Sequence, residues 1–218
     1  MKYYPLLIGE DCEAAFRFKQ LNVKILDGPF NRIGITYERI ISLLEDNLTG
    51  FIKKDNLHIE EKLADYPNSY GKCHRVVEKI DNKITVELWH NFHSSESFDV
   101  AYQKVSEEFS FSMSLFENTI KHDIRPIMFV HKKTDIPSVS DSNDLLNQYR
   151  KLRELIGSIR KMKFKIVALG HSPKFNENWG IENVESHQIQ HIKLWGREEP
   201  EESWKKVIHQ CMLSKIFL

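Results

Sequence analysis

The chain reads as an α/β protein, with a mixed, largely parallel sheet flanked by helices and a β-hairpin in the middle. Three observations point there. After residue 98, short stretches that are apolar throughout alternate with long amphipathic ones, the pattern of parallel strands covered by helices on both faces. His74–Ile80 and Ile84–Trp89 alternate around Asp81-Asn82-Lys83, a hairpin signal. The 218 residues are 41% hydrophobic and 28% charged, the balance of a globular chain with a sizeable core. A single domain over 1–218 is expected.

The elements follow in order. Tyr4–Ile8 is a short apolar run of strand type, ending at Gly9-Glu10-Asp11-Cys12. A helix starts at Asp11 or Cys12, with Ala14, Ala15, Phe18 and Leu21 on one face. Val23–Leu26 reads as a strand, stopped by Asp27-Gly28-Pro29. Tyr37, Ile40, Ile41, Leu44 and Leu48 have helical spacing over Thr36–Leu48, with Gly50 as the stop. Residues 53–70 are polar, contain Pro67-Asn68-Ser69, and read as a loop, the candidate mobile segment. After the hairpin comes a helix over Phe98–His122, then strand Ile124–Val130 and helix Asp141–Met162. Strands Phe164–Leu169 and Ile189–Trp195 and a closing helix Glu201–Leu213 complete the pattern.

Composition removes several classes of function. Lys and Arg number 31 against 31 Asp and Glu, so no overall positive field exists to hold nucleic acid or an anionic membrane. No apolar run approaches the ~20 residues of a membrane-spanning helix, and the opening residues do not have the form of a secretory signal. Three cysteines without CxxC spacing build neither a disulfide framework nor a zinc ribbon, and they fit a reducing, cytoplasmic setting. The nine glycines form no phosphate-binding loop. His187 and His191 are four apart but precede a strand, where that spacing does not align side chains. No metal site and no cofactor is expected. The basic groups Lys151–Arg153 and Arg160–Lys163 read as a solvated helix face.

Each apolar strand runs into reactive residues. These are Glu10-Asp11-Cys12, His90-Asn91-Phe92-His93, His131, His171-Ser172 and Arg197-Glu198. Ligands bind outside the carboxyl ends of parallel strands, so a shared sheet would gather Cys12, His90, His131 and His171 around one cleft. Cys12 is the sharpest candidate. Free N–H groups and the helix dipole at a helix start stabilise a thiolate, a nucleophile in acyl transfer, while Glu10 and Asp11 act in the opposite sense. His90 is placed to act as its general base, with His93 three residues on as a competitor.

The run Leu7-Ile8-Gly9-Glu10-Asp11-Cys12-Glu13-Ala14-Ala15 followed by Leu21 resembles the SLG-x-x-C-x-x-A…L opening of a bacterial family of papain-like cysteine peptidases. The likeness continues through Gly28-Pro29-Phe30-Asn31, Ile40-Ile41 and Asn47…Phe51, and spans roughly residues 5–135. Where that family has Phe-Asp-Trp, His-Asp-Phe and a strand of the ilFvR type, this chain has Phe30-Asn31-Arg32, His90-Asn91-Phe92 and Ile127–His131. The resemblance implies Cys12 as nucleophile and His90 as its partner. Asn91 or Asn31 would orient the ring in place of the family's Asp, as in Cys-His-Asn sites.

The first reading is therefore a cysteine hydrolase acting on a peptide, amide or small-molecule substrate. A second is another α/β hydrolase or a sugar-processing transferase, in which Glu10, Asp11 and His171 do the chemistry. A third is a non-catalytic interaction domain in which the changes at Asn31, Arg32 and Asn91 mark a decayed site.

Overall fold

The structure, a computed structural model, describes residues 2–65, 72–133, 142–190 and 202–212. In chain order its strands and α-helices are β1 (Tyr4–Leu7), α1 (Glu13–Gln20), β2 (Gly34–Ile35), α2 (Tyr37–Glu45), β3 (Leu57–Asp65), β4 (Lys72–Ile80), β5 (Lys83–His93), α3 (Phe98–His122), β6 (Ile127–Lys132), α4 (Ser142–Ile159), β7 (Phe164–Gly170), β8 (Val184–Gln188) and α5 (Glu202–Met212).

Strands apolar on both faces need cover on both sides, and the helices supply it. The first sheet has the order β1-β6-β7-β8 with every neighbour parallel. Alternate residues sort to opposite faces. Leu6, Ile127, Phe129, Ile166 and Ala168 pack with Phe116 and Ile120 of α3 and with Tyr149, Leu152 and Ile156 of α4. Leu7, Met128, Val130, Val167 and Leu169 pack with Ala14 and Phe18 of α1 and with Trp204, Val207 and Ile208 of α5. Each such side chain removed from water contributes about 1.5–3 kcal/mol.

The second sheet, β2-β5-β4-β3, is antiparallel throughout. Its inner residues Val76, Val86, Leu88 and Phe92 join the cluster that holds α3 and α4. The predicted hairpin closes at Asp81 and Asn82, whose φ angles of 51° and 60° suit the tight turn between twisted strands. Glu10 joins the two sheets: its N–H donates to Lys132 O at 3.0 Å, and its carbonyl accepts from Ile35 N at 3.0 Å. Across the second sheet, Arg39 of α2 holds Glu78 of β4 with two buried bonds of 2.9 and 3.0 Å.

Four expectations need correction. Leu57–Asp65, inside the stretch read as a loop, is β3. It is the edge of its sheet, so backbone pairing with β4 defines it and an apolar pattern is not required; residues 66–70 of that stretch lie outside the described residues. Among the described residues Val23–Leu26 makes a single bridge, Leu26 to Leu6, because the break at Asp27-Gly28-Pro29 follows at once. The strand expected over Ile124–Val130 starts at Ile127 and runs to Lys132, leaving Ile124 exposed. Among the described residues the last strand is Val184–Gln188, which the sequence reading missed; Ile189 and Gln190 of the expected Ile189–Trp195 lie outside it, and residues 191–195 lie outside the described residues. β8 is also an edge strand, and its polar sequence VESHQ carries no strand signal.

Candidate active site

At the carboxyl edge of the parallel sheet, the chain after β1 lies against the end of β6. Gly9 permits the approach: a Cβ there would sit 3.1 Å from Lys132 N. The three acids that follow meet the two lysines at the end of β6. Lys133 Nζ is 3.2 Å from Glu10 Oε1. Lys132 Nζ lies 2.5 Å from Asp11 Oδ2 and 2.8 Å from Glu13 Oε2. Burial opposes the charge on Lys132, but Asp11 and Glu13 outweigh it and hold its pKa above the ordinary value.

Cys12 sits among these charges as the N-cap of α1, partly exposed. The Asp11 carboxylate accepts from Glu13 N at 3.0 Å, so one of the free amides of the first turn is already taken. Burial pushes the Cys12 thiol up to about 11, and Asp11 and Glu13 add to the rise; a backbone hydrogen bond and Lys132 act against it without prevailing. The helix end was expected to favour a thiolate and the neighbouring acids to oppose one. Burial and the acids win.

His131 is fully buried under this edge. Its Nδ1 pairs with the Tyr149 hydroxyl at 2.7 Å, and its Nε2 faces Glu10 Oε1 at 3.7 Å. Burial, with Lys133 nearby, lowers its pKa to about 3, so the ring is neutral and packs as a core group. His171, at the end of β7, has Nδ1 3.1 Å from Ile189 O, and its carbonyl accepts from Gln188 Nε2 at 2.8 Å. The parallel sheet thus gathers Cys12, Asp11, His131 and His171 along one edge.

His90 and Asn91 belong to the antiparallel sheet. They lie within β5 rather than after it, because the strand runs on to His93. Pairing steps from Val76↔Leu88 to His74↔Phe92, so Trp89, His90 and Asn91 together face Arg75, a bulge of the kind found beside functional sites. Burial lowers the His90 pKa. The Oδ1 atoms of Asn31 and Asn91 are buried and have no hydrogen-bond partner among the described residues. Asn31 Nδ2 donates to Leu26 O at 3.5 Å. The exposed His93 turns to a different thiol: its Nδ1 is 3.6 Å from Cys73 Sγ.

A cavity of about 270 Å³ lies elsewhere, between Gly50–Ile52 and the Phe109 and Met113 face of α3. Sequence reasoning missed Lys132 and Lys133 as partners of the acids. The signal was present, since two lysines end one apolar strand and three acids follow another. It became readable only once β1 and β6 were known to be neighbours. Among the described residues, no helix is long and apolar enough to cross a membrane.

No curated protein and no solved structure matches this chain. A family model does match, over residues 6–173, which include Cys12, Asn31, His90, Asn91 and the whole of the β1–β6 edge. The chain belongs to the family described as "putative papain-like cysteine peptidase".

Proposed function

We propose that the protein is a cysteine hydrolase in which Cys12 is the nucleophile and His90 takes up and returns the proton. The supporting observation is the position of Cys12 at the first turn of α1, on the carboxyl edge of the parallel sheet and within the family match. In this reading Sγ attacks a carbonyl carbon, and the leaving amine or alcohol departs with a proton. Water then hydrolyses the thioester. Amide groups of the first turn of α1 stabilise the oxyanion.

The resting thiol is protonated, so its proton must leave as the bond to carbon forms. A neutral imidazole does this, and the lowered pKa of His90 keeps that ring neutral at pH 7. In this reading Asn91 or Asn31 orients the ring; their Oδ1 atoms are buried and have no hydrogen-bond partner among the described residues. His90 stands on β5 of the second sheet, while Cys12 lies at the carboxyl edge of the first. The substrate is a peptide, amide or small acyl compound, and the chemistry needs no cofactor. The three cysteines form no disulfide, which suits a cytoplasmic protein.

The test is hydrolysis of a panel of fluorogenic peptide and ester substrates, with trapping of the acyl-enzyme on Cys12 by mass spectrometry. Cys12→Ala should abolish turnover, and His90→Ala should reduce it by about 10²–10⁴-fold. Turnover that survives Cys12→Ala but is lost in Asp11→Asn or Glu10→Gln would instead favour the carboxylate-based hydrolase or transferase.

A further inference from the structure

Three donor groups converge at the far edge of the parallel sheet, beyond residue 173 where the family match ends. Glu185 and His187 are two apart on β8, and strand alternation puts them on one side. Cys211 of α5 packs against that side, in the cluster with Val167 and Leu169. Cys211 Sγ is 3.4 Å from His187 Nε2, and Glu185 Oε2 is 3.8 Å from the same nitrogen. One ligand atom from each of the three residues lies within 4.8 Å of the others.

A Cys-His-acid relay would place the thiol and the carboxylate on opposite nitrogens of the ring. Here both face Nε2, which suits a shared central ion and not a proton relay. Tetrahedral zinc, with bonds of about 2.3 Å to sulfur and about 2.0–2.1 Å to nitrogen and oxygen, sets S···N near 3.6 Å and N···O near 3.3 Å. The S···N separation found, 3.4 Å, is about 0.2 Å short of this, the N···O separation, 3.8 Å, is about 0.5 Å long, and the sulfur and the carboxylate oxygen lie within 4.8 Å of each other, so a small inward shift of Glu185 completes the triangle. We propose that Glu185, His187 and Cys211 form a zinc site, with solvent at the fourth position.

The donor set argues for zinc over magnesium or calcium, because thiolate and imidazole are ligands for borderline-soft ions. The thiolate and carboxylate bring two negative charges to the 2+ ion, and the Lys165 ammonium beside Glu185 leaves the site with a net single positive charge. On binding, the S–H bond breaks, sulfur takes up the metal and the proton passes to solvent. Lys165, itself nearly buried, lies 3.0 Å from both Glu185 oxygens and fixes the position of the carboxylate. Glu185 is about half exposed, which leaves a path of entry. The site ties α5 to β8, and it stands independently of the function proposed for Cys12.

The test uses the full chain, reduced and chelator-treated, titrated with Co²⁺ and then Zn²⁺. One Co²⁺ per chain should bind with a sulfur-to-cobalt charge-transfer absorption that Zn²⁺ displaces. The band should vanish in Cys211→Ser and His187→Ala and persist in Cys12→Ser and Cys73→Ser. Zn²⁺ should raise the Tm of the wild type by several degrees and that of Cys211→Ser not at all. Should Cys211→Ser fail to fold, Glu185→Gln and His187→Asn, at partly exposed positions, carry the same test through loss of Co²⁺ affinity. A wild type without the charge-transfer band overturns the proposal. So does a band that survives Cys211→Ser, or affinity unchanged in both Glu185→Gln and His187→Asn.

Discussion

Substituting Asp11 by Asn tests the electrostatics around Cys12 most directly. In the wild type the thiol titrates at about 11, raised first by burial and next by the Asp11 charge. At pH 7 such a thiol is about 0.01% ionised, against about 3% for a free cysteine of pKa about 8.5, a deficit of roughly 300-fold. A more basic thiolate is intrinsically more nucleophilic, and a Brønsted coefficient of about 0.4–0.5 returns roughly tenfold of this. Cys12 should therefore react with a small disulfide reagent about 20- to 30-fold more slowly than a free cysteine at pH 7. The rate should climb tenfold per pH unit up to about pH 11. Asp11→Asn keeps a side-chain oxygen for the Glu13 N–H but removes the negative charge, and Lys132 then has only Glu13 to neutralise. A fall of one pKa unit, about 1.4 kcal/mol, raises the thiolate fraction tenfold. The assay is the pH profile of labelling at Cys12, followed by peptide mapping. A wild-type inflection at or below pH 8.5, or a profile that Asp11→Asn leaves in place, would refute the argument that burial and the acids outweigh the helix end and Lys132.

Three further outcomes are expected. Gly9→Val places its Cβ against the Lys132 backbone and should cost about 1–3 kcal/mol in urea unfolding, with loss of the Asp11–Lys132 contact. Arg39→Met leaves the buried Glu78 carboxylate without its bidentate partner and should cost about 3–5 kcal/mol, while Arg39→Met with Glu78→Leu recovers most of it. Stability should fall at both pH extremes. His131 titrates near 3 when folded and near 6.5 when unfolded, so between those values the unfolded chain binds more protons. The fold then loses up to about 1.4 kcal/mol per unit as pH falls through that window, and His131→Phe should reduce the slope. Cys12 titrates near 11 when folded and near 8.5 when unfolded, so the folded chain keeps its proton longer and stability falls as pH rises above about 8.5. Cys12→Ser should soften that alkaline limb. Chemical denaturation across pH measures both.

Local pattern alone determined much of this protein. The run of Ala101, Val105, Phe109, Met113, Phe116 and Ile120 marks α3, read over about Phe98–His122 and found there, because a helix needs only its own periodicity. The apolar runs Ile127–Val130 in β6 and Ile166–Leu169 in β7 announce a sheet buried on both faces, since strands of such a sheet need no polar side. The reactive residues after β1 and β7 were legible for the same reason, as the first polar positions after buried strands, whereas His131, read as following its strand, lies buried inside β6. Edge strands were not legible: β3 and β8 owe their state to backbone pairing with one neighbour, which leaves little trace in side-chain type.

Only the tertiary structure decided which strands are neighbours, and that set the chemistry. It paired β1 with β6, turning Glu10, Asp11 and Glu13 into partners of Lys132 and Lys133. It put His90 in a second, antiparallel sheet and gave His93 to Cys73. It brought Cys211 to His187 across 24 residues of chain. Strand order follows from the sum of many weak packing preferences over both sheets, and no single residue encodes it. Each pKa depends on burial and on charges distant in sequence, so the balance at Cys12 could not be struck from Asp11 and a helix start alone.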